Sequence, residues 1–296
     1  MNRPARLAVG VVSAGRVGAV LGAALDRAGH TVTATSAVSR ESLRRAEELL
    51  PDAAVLPPDE VAKNADLVLL ALPDDALAGM VRGLVAAGAI RPGQIVVHTS
   101  GAHGVDVLGP VTDHGALGLA LHPVMTFTGR PEDLQRIVAC SFGVTAADGD
   151  EVAWNVAEAL VVEMGAEPVR VPEAARPLYH TALAHGANHL VTLVGECADL
   201  LRQSGIGTPE RLLGPLLSAA LDNALRHGDR ALTGPVARGD VGTVRKHVTV
   251  LTEHAPHMLP AYRALAARTA RRAVDSGLLR ADLVPEVEAA IEEETP

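Results

Sequence analysis

Lysine is almost missing from this 296-residue chain: of its 26 basic residues only Lys63 and Lys246 are lysines, and the others are arginines. Any chemistry that needs a lysine ammonium as proton donor therefore has two candidates at most. Aromatic residues are also scarce, with one Trp, two Tyr and two Phe, and the net charge is −9. A chain without a basic block or stacking aromatics is not built to hold nucleic acid. The two cysteines, Cys140 and Cys197, lie far apart in apolar surroundings, which argues against a disulfide framework and for buried thiols. No run is both apolar and long enough to span a bilayer, and Met1 to Arg6 brings no long apolar segment before the first strand, so the expectation is a cytoplasmic protein without membrane partners. His98, His103 and His122 match no recognised ligand spacing, and no metal is expected.

What is present starts at Leu7. Leu7 to Val12 reads as a buried strand, Ser13-Ala14-Gly15 as a small-residue turn, and Val17 to Arg27 as a helix ended by Gly29. Strand, glycine turn and helix N-terminus form a dinucleotide entrance of the Rossmann kind, in which the backbone approaches a pyrophosphate and free N–H groups face its charge. The first of the three customary glycines is replaced by Ser13, which keeps the turn if its φ is negative. Ser13, Gly15, Arg16 and Val17 are the expected pyrophosphate contacts.

A second strand, Thr31 to Thr35, leads into Ser36-Ala37-Val38-Ser39-Arg40. An acid at this point would take the ribose hydroxyls of NAD, and an arginine the extra phosphate of NADP. Ser39 and Arg40 offer phosphate donors and no acid stands nearby, so NADP(H) is the expected cofactor. Ser39 also reads as the cap of a helix that begins near Glu41.

Helix and strand then alternate: a helix from Ser42 to Leu50, a short strand from Ala53 to Leu56, and the apolar run Asp66 to Leu72, which stops at Pro73-Asp74-Asp75. Such a run is buried on both faces of a parallel sheet. Its end lies at the carboxyl edge, where ligands bind, which places Leu72 and Pro73 beside a cofactor ribose. Gln94 to His98 is another strand and opens into a Ser/Gly loop, Thr99 to Gly104, where Ser100 is expected near the nicotinamide. Leu117 to Leu121 enters His122-Pro123, and segments near Ile137 to Val144 and Pro168 to Val171 read as further strands, antiparallel ones among the options. From Pro172 onward only helices and Gly/Pro turns appear. The expectation is an α/β dinucleotide-binding domain over residues 1–171, followed by an all-α domain over 172–296. The acidic end, Glu286 to Glu294, reads as a solvated helix face or a frayed tail.

Pro177 to Gly195 contains no charged residue, and a helix of that composition is expected to be buried nearly all round. Leu183, Ala187, Leu190 and Val194 share one stripe, and Thr181, His185, Asn188 and Thr192 the other, with Tyr179, His180 and His189 beside it. A neutral polar row faces either hydrogen-bonding partners or a wet cleft. Histidine suits proton transfer at neutral pH, which nominates His185 as donor with Asn188 one turn on to orient a carbonyl. Between later helices, Arg238 can hold a carboxylate and Asp240 can cap the following helix.

Taken together, Gly10 to Gly18, Ala71 to Asp75, His98 to Ala102, Leu121-His122-Pro123, Tyr179-His180 with Asn188-His189, and Leu232 to Thr243 resemble a family that pairs a Rossmann-like domain with a C-terminal domain of unknown function, DUF2520. Its members are described as oxidoreductases without an established substrate. The resemblance covers nearly the whole chain. The family is similar in architecture to pyrroline-5-carboxylate reductase, prephenate dehydrogenase, ketopantoate reductase and 6-phosphogluconate dehydrogenase. That implies a helical second domain of the 6-phosphogluconate dehydrogenase C-terminal type, a homodimer, and NADP-linked hydride transfer to a small carboxylate-bearing ketone or imine such as ketopantoate. In ketopantoate reductase and the β-hydroxyacid dehydrogenases a lysine on the first long helix of the second domain gives the proton. Here Ala184 stands four residues before Asn188, and that helix has no lysine. His122-Pro123 resembles the His-Pro pair beside the substrate in prephenate dehydrogenases, which implies a substrate-side His122. Together with Arg238 and Asp240 it makes up the expected substrate contacts. The missing lysine also leaves open a protein that binds NADP and senses it without catalysis.

Overall fold

The computed structural model describes residues 6–293, so the readings for Met1 to Ala5 and for Glu294 lie outside the described residues. The chain divides into two compact units, Met1–Gly186 and Ala187–Pro296.

The first unit is built on one eight-stranded sheet in the order β3-β2-β1-β4-β5-β6-β7-β8. Its strands are β1 (Ala8–Val12), β2 (Thr31–Thr35), β3 (Ala54–Val55), β4 (Leu67–Leu70), β5 (Ile95–His98), β6 (Leu117–Pro123), β7 (Ser141–Thr145) and β8 (Glu167–Arg170). The helices between them are α1 (Arg16–Arg27), α2 (Arg40–Leu49), α3 (Pro58–Lys63), α4 (Asp74–Ala86), α5 (Gly109–Thr112), α6 (Asp133–Ile137) and α7 (Glu151–Glu163). All neighbouring strands run parallel except β6 and β7, which pair antiparallel with His122 opposite Gly143. The parallel centre is apolar on both faces, as the continuous runs of β1 and β4 dictate: Val9, Val11 and Leu67 to Leu70 are all buried. Gly10 lets β1 lie close against α3, because a Cβ there would lie 2.6 Å from the Val61 carbonyl oxygen.

Most strand bounds shift by a residue or two, β4 being trimmed to Leu67–Leu70 and β6 extended to Pro123, and two further readings change. The third strand shrinks to Ala54–Val55, and Ile137 ends α6 so that β7 begins only at Ser141. Asp133 explains the second change. Its fully buried carboxylate accepts the N–H groups of Thr128 and Gly129 at 2.7 and 2.8 Å, which folds the preceding loop onto the first turn of α6.

Helix α8 (Arg176–Gln203) crosses the unit boundary, and the second unit continues with α9 (Glu210–His227), α10 (Pro235–Arg238), α11 (Val241–His254), α12 (Leu259–Asp275) and α13 (Val284–Glu292). Its core is aliphatic and rich in alanine, with Val244, Ala270, Ala273, Val287, Ala290 and Ile291 among its members. Helix α13 therefore carries part of the core on one side of its acidic face.

The expectation that Pro177 to Gly195 is buried nearly all round is overturned. His185, Asn188, Leu190 and Leu193 are exposed, and Val191 is 73% exposed. The absence of charge that suggested burial is still a physical fact about the surface, and within one chain the described residues leave that surface open. Helix α9 is more extreme: over eighteen residues only Leu213 is buried. Among the described residues no helix is long and apolar enough to cross a membrane.

Candidate active site

At the end of β1 the chain turns through Ser13 with φ = +80°, the only non-glycine residue with positive φ among those described. The negative φ on which the sequence reading made the turn depend is not adopted, and the turn is kept with Ser13 in the left-handed region at the cost of strain. The end of β2 holds it there. Ser36 Oγ accepts the Ser13 N–H at 2.8 Å, and the Ser36 carbonyl accepts the Ala14 N–H at 2.8 Å.

Gly15 begins α1 without a side-chain cap, and no acid stands in the first turn. A Cβ on Gly15 would meet only Ser13 Oγ, at 3.4 Å, whereas one on Gly18 would lie 2.1 Å from the Ser13 carbonyl oxygen. The last glycine therefore serves packing, and Gly15 keeps the approach to the N-terminus open. Exposed Arg16 and half-buried Val17 follow it. An uncapped N-terminus behind a tight turn fits the pyrophosphate of a dinucleotide.

Ser39 caps α2, its Oγ accepting the Ser42 N–H at 3.1 Å, and Arg40 beside it is exposed. Sequence reasoning missed Arg45. Its Nε is buried without a partner, and both it and Arg16 close on Gly129: a Cβ there would lie 2.8 Å from Arg45 Nε and 2.9 Å from Arg16 Cγ. The Arg45 guanidinium and the stem of Arg16 thus both lie against Gly129.

Leu72 and exposed Pro73 follow β4 at the carboxyl edge, where Pro73 precedes the first turn of α4. On the next strand His98 is completely enclosed. Its Nδ1 accepts the Ser100 N–H at 3.1 Å, so its Nε2 carries the hydrogen and donates to the Gly104 carbonyl at 2.7 Å. Burial holds its pKa at about 4. Ser100 is occupied in the same loop, its Oγ accepting the Ala102 and His103 N–H groups at 3.2 and 3.1 Å.

The chemistry gathers around His122 on β6. Its Nδ1 lies 2.8 Å from the Tyr179 hydroxyl, and the His180 ring stands edge-on to it at 6.2 Å. His122 and His180 both close on Gly101, where a Cβ would lie 2.8 Å from His122 Nε2 and 2.7 Å from His180 Cδ2. Beneath them Arg176 is 1% exposed and meets no carboxylate through its bonds. Its Nε donates to Thr145 Oγ1, and its terminal nitrogens to the carbonyls of Ser100, Ala120 and Gly143 at 3.3, 3.2 and 2.9 Å. Desolvation, with the Arg176 charge second, lowers the His122 pKa to about 4. Burial raises that of Tyr179. At neutral pH the pair is a neutral imidazole bonded to a neutral phenol.

Of the expected site residues, the structure groups Ser13, Gly15, Arg16 and Val17 at one turn and Ser39 with Arg40 at another. Ser100 and His122 belong to the carboxyl edge, tied through Arg176 and Gly101. His185 is exposed on α8 in the first unit, while Asn188, Arg238 and Asp240 belong to the second. Asp240 caps α11, accepting from the Thr243 N–H at 3.2 Å, and those bonds to Thr243 hold its pKa low. Tyr179 and Arg176 entered no sequence-based site. The tyrosine had a signal, being one of two in the chain, but the arginine stood among two dozen like it. The second unit contains a separate cavity of about 350 Å³ whose lining is mostly aliphatic, with Glu196 and a His247–Tyr262 hydrogen bond of 3.0 Å. Volume favours the second unit, which also has a cavity of about 600 Å³ with Gln203, Lys246 and His254 in its lining, but the convergent polar groups favour the carboxyl edge of the sheet.

Residues 1–123 match the Rossmann-like domain family and residues 140–269 match the domain of unknown function DUF2520. The chain belongs to the Rossmann-like DUF2520 proteins. No curated protein matches the sequence. Among solved structures, this DUF2520 protein is similar to a provisionally assigned NADP oxidoreductase from Bacteroides fragilis, with TM-score 0.75 and 22% identity over 90% of this chain and 98% of that one. It is also similar to an imine reductase from Pseudomonas sp., with TM-score 0.61 and 19% identity over 96% and 99%. A pyrroline-5-carboxylate reductase from Coxiella burnetii gives TM-score 0.56 and 16% identity over 93% and 100%. At these identities the likeness is one of fold.

Proposed function

We propose that this protein is an NADPH-dependent oxidoreductase that reduces a small carboxylate-bearing ketone or imine, with a ketopantoate-like molecule as the best candidate. The observation that carries the reading is the conjunction within the first unit of an uncapped helix N-terminus behind the Ser13 turn and a convergent polar cluster at the carboxyl edge of the same sheet. In open α/β sheets that edge is where cofactor and substrate meet. The named activities of the solved neighbours, on NADP and on imines, agree with it.

The backbone at Gly15, Arg16 and Val17, with Ser13 Oγ, would hold the pyrophosphate. Ser39 and Arg40 would take the 2′-phosphate, joined by Arg45, whose Nε has no partner of its own. Leu72 and Pro73 would flank a ribose and Ser100 the nicotinamide. When bound, NADPH supplies a hydride. The exposed apolar surfaces of α8 and α9 support a homodimer.

Titration of NADPH and NADH by fluorescence, followed by a panel of 2-oxo acids and cyclic imines, tests the reading. Tighter binding of NADPH and oxidation with at least one panel member are expected. Binding without turnover on any member would replace the enzyme by an NADP-binding sensor, a reading that the lysine-free α8 favours, and no binding of either dinucleotide would remove both.

A further inference from the structure

The carboxyl-edge cluster contains one group whose two ends are differently engaged. His122 is held through Nδ1 by the Tyr179 hydroxyl, while Nε2 has no hydrogen-bond partner among the described residues and lies close against Gly101, where a Cβ would come within 2.8 Å of it. Several neighbouring polar groups are already engaged by the protein. His98 uses both ring nitrogens within its loop, Ser100 Oγ accepts two backbone N–H groups, and Arg176 spends its donors on Thr145 and three carbonyls.

We propose that His122 acts as a neutral N–H donor: with Tyr179 donating to Nδ1, the Nε2 hydrogen bonds to the carbonyl oxygen of the substrate, which makes that substrate a ketone and not an imine. This rests on the reductase reading above and narrows it. A neutral imidazole polarises a carbonyl oxygen and then gives up its Nε2 proton as charge develops there. The balance closes within the pair. As the carbonyl carbon gains the hydride, the oxygen takes the Nε2 proton, Nδ1 takes the phenolic proton of Tyr179, and the tyrosinate left behind recovers a proton from water. Ketone, NADPH and one proton become alcohol and NADP⁺.

The surroundings fit this direction of transfer. Arg176 lies 5.6 Å from the centre of the Tyr179 ring, where its charge offsets part of the desolvation that raises the phenol's pKa. The same charge and His180 disfavour imidazolium, with Asp74 as a weaker opposing influence. A protonated imine would bring a cation to this place and has no lone pair to accept the Nε2 hydrogen. His185, the donor expected from sequence alone, is exposed six positions beyond Tyr179 on the same helix.

The test has two arms. In ¹⁵N-histidine-labelled protein, with His122 assigned through His122→Asn, long-range ¹H–¹⁵N spectra should show the Nε2–H tautomer at pH 7. In Tyr179→Phe the two tautomers should mix. A wild-type Nδ1–H tautomer or an imidazolium at pH 7 would overturn the proposal without touching the NADPH reading. In the second arm, NADPH oxidation is followed with ketopantoate and with 1-pyrroline-2-carboxylate. Turnover of the ketone and a loss of about 100-fold or more in kcat for His122→Asn, at unchanged NADPH affinity, are expected. Reduction of the imine alone, or retained turnover in His122→Asn together with loss in His185→Ala, would overturn it. A wild-type protein that binds NADPH and reduces neither probe would overturn both this role and the reductase reading.

Discussion

Arg176 Nε donates to Thr145 Oγ1 at 2.7 Å across the carboxyl edge of the sheet, and the guanidinium has only neutral oxygens for partners. Removing it leaves the Ser100, Ala120 and Gly143 carbonyls and the Thr145 hydroxyl short of a donor in a buried place. Each such group costs roughly 1 to 3 kcal/mol. Arg176→Met should therefore destabilise the protein by about 3 kcal/mol or more in urea unfolding. Arg176→Lys should recover only part of that, since one ammonium cannot reach all four oxygens in the plane that a guanidinium spans.

The glycines of the first turn separate into two kinds. Gly18→Ala sets a Cβ against backbone, 2.1 Å from the Ser13 oxygen, and should cost about 3 kcal/mol or prevent folding. Gly15→Ala meets nothing closer than 3.4 Å, so it should fold normally and weaken NADPH binding, as measured by fluorescence titration with unfolding curves as the control.

Ser13→Gly should raise stability by about 1 kcal/mol, because the native φ of +80° costs a residue with a Cβ and glycine nothing. A shift of the urea midpoint to higher concentration is the expected observation, and an unchanged or lower midpoint would contradict it.

The buried histidines set an acid limit. His98 and His122 have folded pKa values of about 4, below the ordinary 6.5, chiefly through desolvation. Between these values the unfolded chain binds protons that the folded rings refuse, so stability rises with pH and falls as the medium is acidified from about 6.5 toward 4. The slope approaches about 1.4 kcal/mol per pH unit for each ring. Urea curves at pH 7, 6 and 5 should show it, and His122→Asn should reduce the slope by about half.

Leu216 and Leu225 of α9 are 64% and 79% exposed. If they form the proposed subunit contact, the double change Leu216→Glu and Leu225→Glu should convert a dimer to a monomer in sedimentation velocity. A wild-type protein that is monomeric at micromolar concentration would remove the dimer.

How far the sequence foretold these features follows from the range of the interactions. The β1 turn and the Ser39 cap are written in residues a few positions apart, and period and capping chemistry read them correctly, whereas β4 ends at Leu70, two residues short of the expected Leu72. Ser13 shows the limit: its substitution was visible, but its φ is set by Ser36, 23 residues away. The His122–Tyr179 bond spans 57 residues and was seen only as two separate polar side chains. Helix α8 misled for a different reason. An uncharged composition reports contact with something apolar, and it does not say whether that surface belongs to the same chain.

The bonds of Arg176 reach back 31, 33, 56 and 76 residues. Closing such loops comes late, because the chain must first lose the entropy of bringing distant segments together. A ribosome also delivers every strand of the sheet before residue 176 emerges. The last turn of chain to join the first unit is thus the one that brings Tyr179 to His122, and every strand of the sheet is made before that pair can form.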